Sequence, residues 1–429
     1  MSGRAALNEL TATEIVSLTQ SGAVSAEDVV RSCLDRIRHR EETVSAWTFV
    51  DADSAIAQAR EVDRRGGSGA LCGVPVGIKD IIATVDMPTA FGSPIYANHR
   101  PAWDASCVAA IRAAGGVILG KTVTTEFASS YPGKTVHPKD PARTPGGSSS
   151  GSAAAVADFM CPVAIGTQTG GSVIRPASYC GIAGYKPSFG WVNRHGVKPL
   201  SESLDTVGAL ARTVEDAARA VAVMAGRPAL LQLAEIEHPK IAIWRSSSLQ
   251  HAEPDMADCI EETAKRLSTA GASVSDIEPP PVFAEADAAH HEIEYFEMGK
   301  ALAFELQAFP GLLSPALRKR VEAGQACHAE VYDRKRSIAR DCRAALMSLF
   351  ETFDAILTPA ATGAAPKSHS STGNALFNRI WTMTHAPTVT IPGGWDIQGM
   401  PLGIQFIGPL DDDSRVLAVA CFARRALIK

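Results

Sequence analysis

Nine cysteines are scattered through this chain, and no two of them form a Cys-x-x-Cys pair. An odd, dispersed set argues against structural disulfides and against a cysteine-based zinc site, and it fits a reducing cytoplasm. His-Glu-x-x-His is absent, so no zinc hydrolase motif is present. No run of lysine and arginine occurs, and the net charge is −5 with a pI of about 6.1. Nucleic acid and anionic membrane are therefore not expected partners. No apolar run approaches the roughly 18 residues needed to span a bilayer. The opening residues Met1 to Asn8 lack the apolar core of a signal peptide. A phosphate loop fails on pattern, because Gly-x-x-x-x-Gly-Lys-Ser/Thr does not occur. No cofactor and no metal are expected.

What remains is an ordinary globular balance, with 46% apolar and 20% charged residues in 429. Length alone suggests two or three domains. No convincing boundary appears, so the expectation is one domain over 1–429. It comprises a helical N-terminal region (1–65), a central block (70–215) and a remainder of strands and covering helices (240–429).

Ser25 can cap a helix whose apolar stripe is Val29, Val30, Cys33, Leu34 and Ile37. Val74 to Ile82 reads as a strand and turn. Asp104 to Ala114 reads as a helix, followed by the strand Val117 to Leu119. The pattern recurs at Asp255 to Ala270 and Ala272 to Ile277. Further strands are expected at Ile241–Trp244, Ala355–Thr358, Thr388–Ile391 and Gly403–Ile407. Further helices are expected over Ala286–Ala308, Ala329–Phe353 and Ser414–Leu427. This alternation predicts an α/β fold, a large, mixed, mainly parallel twisted sheet covered by helices on both faces. The weakly patterned segment Thr362–Asn374 reads as a loop over a cleft.

The most informative stretch lies between Thr144 and Ile174, where Asp158 is the only charged side chain. It holds two glycine–serine clusters, Gly146–Ser152 and Gly166–Ser172, around the apolar runs Ala153–Ala157 and Pro162–Ile165. Burying so many hydroxyls and bare peptides is costly unless they find partners, so a preorganised polar site inside a core is the economical reading. In Thr169-Gly170-Gly171-Ser172 the glycines allow close backbone approach to a ligand, and successive N–H groups can form an anion-binding concavity. Ser172 is then either a nucleophile beside its own oxyanion hole or a capping serine in a tight turn. One serine of the Gly146–Ser152 cluster is expected to cap the following helix. Lys79 is a lone cation in an apolar strand. It either snorkels or pairs with Asp80, or it is a desolvated lysine driven towards neutrality. His290-His291 reads as part of a solvated helix face, and Cys180 as a small core residue. No histidine sits in a triad motif, and Gly-x-Ser-x-Gly occurs only inside the serine run.

Together these residues resemble the amidase signature family. Gly146 through Ser172 to Lys186-Pro187, continuing to Ser203–Gly208, is similar to that family's defining block. Gly73–Asp80 is similar to its lysine-bearing strand, and Gly399–Gln405 to its closing segment. The resemblance implies a Ser–Ser–Lys set. Ser172 is the nucleophile, and Ser148, which is 172 − 148 = 24 residues earlier, is the bridging serine beside a non-proline cis peptide. Lys79 is the base, and the backbone N–H groups of Thr169, Gly170, Gly171 and Ser172 form the oxyanion hole. The implied reaction is hydrolysis of the C–N bond of a small amide through an acyl-enzyme.

Gln168, where many relatives carry Asp, and the arginine three residues after the nucleophile are similar to malonamidases, which hydrolyse malonamate. That likeness implies that Arg175 holds a substrate carboxylate, which its planar fork suits. The alternative is an ion pair between Arg175 and a nearby Asp or Glu. A second reading is the amidase subunit of a tRNA-dependent amidotransferase, releasing ammonia from glutamine for a partner protein. It expects a longer C-terminal region and an obligate partner. Arylalkyl or ureido amides and esters are mechanistic neighbours, and a homodimer is compatible with the pattern.

Overall fold

The computed structural model describes residues 6–129 and 131–428; the reading of Met1 to Ala5 falls outside the described residues. Eleven strands form one sheet. They are β1 (Trp47–Val50), β2 (Pro75–Lys79), β3 (Val117–Thr122), β4 (Val163–Gln168), β5 (Ala183–Lys186), β6 (Thr206–Ala211), β7 (Lys240–Trp244), β8 (Ser273–Ile277), β9 (Ala355–Pro359), β10 (Thr388–Trp395) and β11 (Pro401–Ile407). Their order is β1-β3-β2-β4-β6-β5-β10-β11-β9-β7-β8.

The sheet is mixed, but parallel pairing is less prevalent than expected. β2 is parallel to β3 and β4, and β7 to β8 and β9. The six other pairings are antiparallel. The reason is that apolar runs carry no direction. The helix–strand alternation that signals parallel crossovers holds at the two flanks. In the middle, β10 and β11 meet through a short turn at Asp396–Met400, which only an antiparallel pair allows.

Helices cover both faces. In β4, Val163 and Ile165 pack into one apolar cluster and Ala164 into another. In β3, Ile118 joins the first cluster while Val117 and Leu119 join the second. Side chains alternate across a strand, so both sides of these strands are core, and their sequences read as continuous apolar runs.

The helix capped by Ser25 runs Ala26–Val44, with the Ser25 hydroxyl accepting from the Asp28 N–H. The long helix expected over Ala286–Ala308 is broken at Leu302 into Ala286–Ala301 and Ala303–Ala308. No described helix is long and apolar enough to cross a membrane. All nine cysteines are free thiols.

Candidate active site

The parallel pairing of β2 with β4 brings their carboxyl ends together. Lys79 is the last residue of β2 and is fully buried. Its Nζ donates to Ser148 Oγ at 2.7 Å and to Thr167 Oγ1 at 2.8 Å. Among the described residues it forms no ion pair. Asp80, the partner in one of the alternative readings, instead faces Lys121 at 3.3 Å. Strand alternation explains this, since adjacent side chains leave opposite faces of the sheet. Desolvation lowers the Lys79 pKa to about 7, with the Asp205 charge opposing.

Ser148 follows a cis Gly147–Ser148 peptide bond. The helix after it spans Ser150–Ala157, and its small side chains let it lie close under the sheet. A Cβ on Gly151 would collide with the backbone of Ala46 and Val123. The expected serine cap is not formed. Ser149 occupies the N-cap position without a side-chain cap bond, because its hydroxyl is turned to the Thr167 carbonyl at 3.3 Å. Ser150 Oγ donates to the Val123 carbonyl and Ser152 Oγ to the Ile165 carbonyl. The buried hydroxyls of this cluster thus have partners on β4, the end of β3 and Lys79.

The turn Thr169–Ser172 leaves the end of β4 and enters the helix Ile174–Cys180. Ser172 is 8% exposed and its hydroxyl makes no hydrogen bond among the described residues. It does not cap the helix; Val173 holds that position. Four groups hold the turn from behind. Gln168 Oε1 accepts from the N–H groups of Val173 at 2.9 Å and Ile174 at 3.0 Å. Gln168 Nε2 donates to Thr382 Oγ1, which donates to the Gly170 carbonyl at 2.8 Å. Thr169 Oγ1 donates to Asp205 Oδ1 at 2.5 Å. His290 Nε2 lies 2.9 Å from the Thr169 carbonyl.

Gln168 and Asp205 stand out in the sequence, but nothing there shows that they or Thr382 hold this turn, and His290 is a correction. It is fully buried, not on a solvated face. Its helical face reads as solvated because it is polar, and polarity cannot distinguish a solvated histidine from one bonded to a buried carbonyl. Burial lowers its pKa to about 3, so it is neutral and Nε2 carries the proton given to the carbonyl.

Arg175 makes no ion pair with any described carboxylate, so the expected structural alternative is not what holds it. Its Nε donates to the Thr372 carbonyl at 2.9 Å and Nη2 to the Gly147 carbonyl at 2.7 Å. Burial lowers its pKa to about 10, which leaves it charged at neutral pH. A cavity of about 560 Å³ opens above Ser172, and its wall includes the turn, Arg175, Glu294, Arg320 and Arg379. The loop read as covering a cleft does so here through Ser370 to Asn374, and Tyr131 lines the same cavity. Cys180 is buried in the core.

A family model described as Amidase matches residues 28–417. A glutamyl-tRNA(Gln) amidotransferase subunit from Oleidesulfovibrio alaskensis is 33% identical over 477 aligned residues, which cover 96% of each protein. Its counterpart from Roseiflexus castenholzii is 32% identical, covering 96% of this chain and 95% of the relative. Among solved structures, a chain from a vestigial protein complex bearing on the origins of an s-triazine catabolic enzyme superposes with a TM-score of 0.89 at 27% identity. It covers 97% of this chain and 98% of that one. The relatives match along nearly their full length, so a longer C-terminal region does not separate an amidotransferase subunit from a free amidase.

Proposed function

This chain belongs to the amidase family, and from that premise we propose that it cleaves the C–N bond of a small amide through Ser172, Ser148 and Lys79. The observation that carries the reading is the buried Lys79 amine, 2.7 Å from Ser148 Oγ and depressed to a pKa of about 7. Neutral Lys79 takes a proton from Ser148, which takes one from Ser172 as that hydroxyl attacks the amide carbonyl. The developing oxyanion meets the N–H groups of the Thr169–Ser172 turn, where one donor typically contributes about 3 kcal/mol to the rate. The proton returns through Ser148 to the leaving amine, and water then releases the acid from the acyl-enzyme.

Arg175 supports a substrate that carries a carboxylate. It reaches the cavity charged and in no ion pair with a described carboxylate, although Glu294 lines the same cavity, and Arg320 and Arg379 stand on the same wall. Malonamate fits this description, and so does glutamine. The second reading, the glutaminase subunit of a tRNA-dependent amidotransferase, is favoured by the names of the relatives above, which are not malonamidases. That reading brings partner proteins with it; the first needs none.

A panel of malonamate, glutamine, neutral aliphatic amides, arylacetamides and ureido acids, scored for ammonia release by the isolated protein, tests both. Turnover of an acidic amide by the protein alone supports the free amidase. Release from glutamine that requires an added partner supports the second reading. No turnover of any amide, with no labelling of Ser172 by a fluorophosphonate, removes both.

A further inference from the structure

Beside the Thr169–Ser172 turn, three side chains of metal-ligating type converge without a use in the reaction. His290, His291 and Glu294 stand on one sector of the helix Ala286–Ala301, and their candidate ligand atoms all lie within 4.8 Å of one another. The spacing i, i+4 and i, i+3 accounts for the convergence. His290 is the informative member. Its Nε2 faces the Thr169 carbonyl, which can only accept, so Nε2 holds the ring proton and Nδ1 is a bare lone pair. That Nδ1 is buried and has no hydrogen-bond partner. Glu294 Oε2 lies 3.8 Å from it, beyond hydrogen-bond reach, and burial raises the Glu294 pKa. An unpartnered buried nitrogen with a second imidazole and a carboxylate within 4.8 Å is a donor set that a cation would complete.

We infer that His290 Nδ1, His291 and Glu294 bind a transition-metal dication of the zinc type at the edge of the substrate cavity. Two imidazoles and a carboxylate are a donor set suited to that class, and a fourth position faces the cavity, whose wall includes His291 and Glu294. Ligand atoms around tetrahedral zinc lie about 3.3 Å apart, so side-chain rotations close the set. The Nε2–H bond to Thr169 would orient the His290 ring, as the outer bond of a ligating histidine commonly does.

The site is not built for a resident metal. Arg379 and Arg320 share the cavity wall, and their charges weaken any cation there, although Asp287 offsets Arg379 at 2.7 Å. The ion is therefore a reversible inhibitor and not part of the reaction. It occupies cavity space beside Ser172 and is tied through His290 to the Thr169 carbonyl.

The test is direct binding of Co2+ to the full chain, followed by visible absorption and equilibrium dialysis, with Zn2+ as competitor. The expected result is one Co2+ per chain with the intense bands of a low-coordinate site. Zn2+ should displace it, and His291→Ala and Glu294→Gln should each abolish uptake. Both variants alter half-buried cavity-wall residues, and a melting curve checks that each is folded. Zn2+ at about ten times its dissociation constant should raise the KM for amide about tenfold. The inference is overturned by the absence of one-to-one uptake in the parent protein, or by uptake that persists in either folded variant.

Discussion

The Lys79 amine sits 2.7 Å from Ser148 Oγ in a fully buried environment, with Thr167 Oγ1 as its other close partner and no acid in contact. A lysine so placed is neutral at a pH where an exposed lysine is charged. Because the neutral form is the base, kcat/KM should rise with pH about tenfold per unit below the Lys79 pKa of about 7 and level off above it. Lys79→Arg, which cannot become neutral, should be inactive across the same range. A pH–rate profile that is flat between pH 5 and about pH 8 would remove Lys79 as the base.

Ser172 and Ser148 should separate under a fluorophosphonate probe. Ser172→Ala is expected to lose turnover and labelling together. It should keep its melting temperature, because the Ser172 hydroxyl holds no described hydrogen bond. Ser148→Ala should lower turnover by about 10²- to 10⁴-fold yet still label slowly at Ser172. Mass spectrometry of the labelled peptide decides it, and label on another serine would sink the nucleophile assignment.

Arg175→Ala should raise the KM for acidic amides about 10- to 100-fold, the loss of one charged contact, and change neutral amides much less. It should also cost about 2–3 kcal/mol of stability, because the Gly147 and Thr372 carbonyls lose a charged donor. Arg175→Lys is not expected to restore the KM, since an ammonium lacks the planar fork. Equal changes for both substrate classes would mean that Arg175 only holds the loop.

Gln168→Leu should act on kcat more than on KM. It strips the acceptor from the N–H groups of Val173 and Ile174, which open the helix behind Ser172. Each orphaned buried donor costs about 1–3 kcal/mol, so thermal unfolding should also fall. Unchanged kcat in a destabilised variant would show that this clamp does not set the position of Ser172.

The two glycines of the turn should differ. A Cβ on Gly171 would run into the Asn378 side chain, with Cγ at 2.8 Å, whereas one on Gly170 meets nothing closer than 3.8 Å. Gly171→Ala is therefore expected to lose most activity and Gly170→Ala to fold normally with a milder loss. Steady-state kinetics with circular dichroism on both variants checks the order, and equal activity would contradict the close packing behind Gly171.

Much of this site is legible without coordinates. The charge-poor stretch from Thr144 to Ile174 predicts buried hydroxyls with partners, and Ser149, Ser150 and Ser152 have them on backbone carbonyls. Strand and helix positions are also readable, since apolar periodicity is a local property. The partners of the Thr169–Ser172 turn are not. Gln168, Asp205, Thr382 and His290 meet there across up to 214 positions of chain, and no local pattern records such a meeting.

By itself, the sequence determined the composition of the site: small and hydroxyl residues where the backbone must be approached, and one lysine in an apolar strand. Those are properties of residue type and spacing, and they survive without coordinates. Tertiary structure alone decided which way each side chain faces. Alternation on β2 sends Lys79 to Ser148 and leaves Asp80 to Lys121. The antiparallel middle of the sheet, invisible in apolar runs, is equally a tertiary matter. So is the burial of His290, because desolvation depends on everything packed around a group and not on its neighbours in the chain.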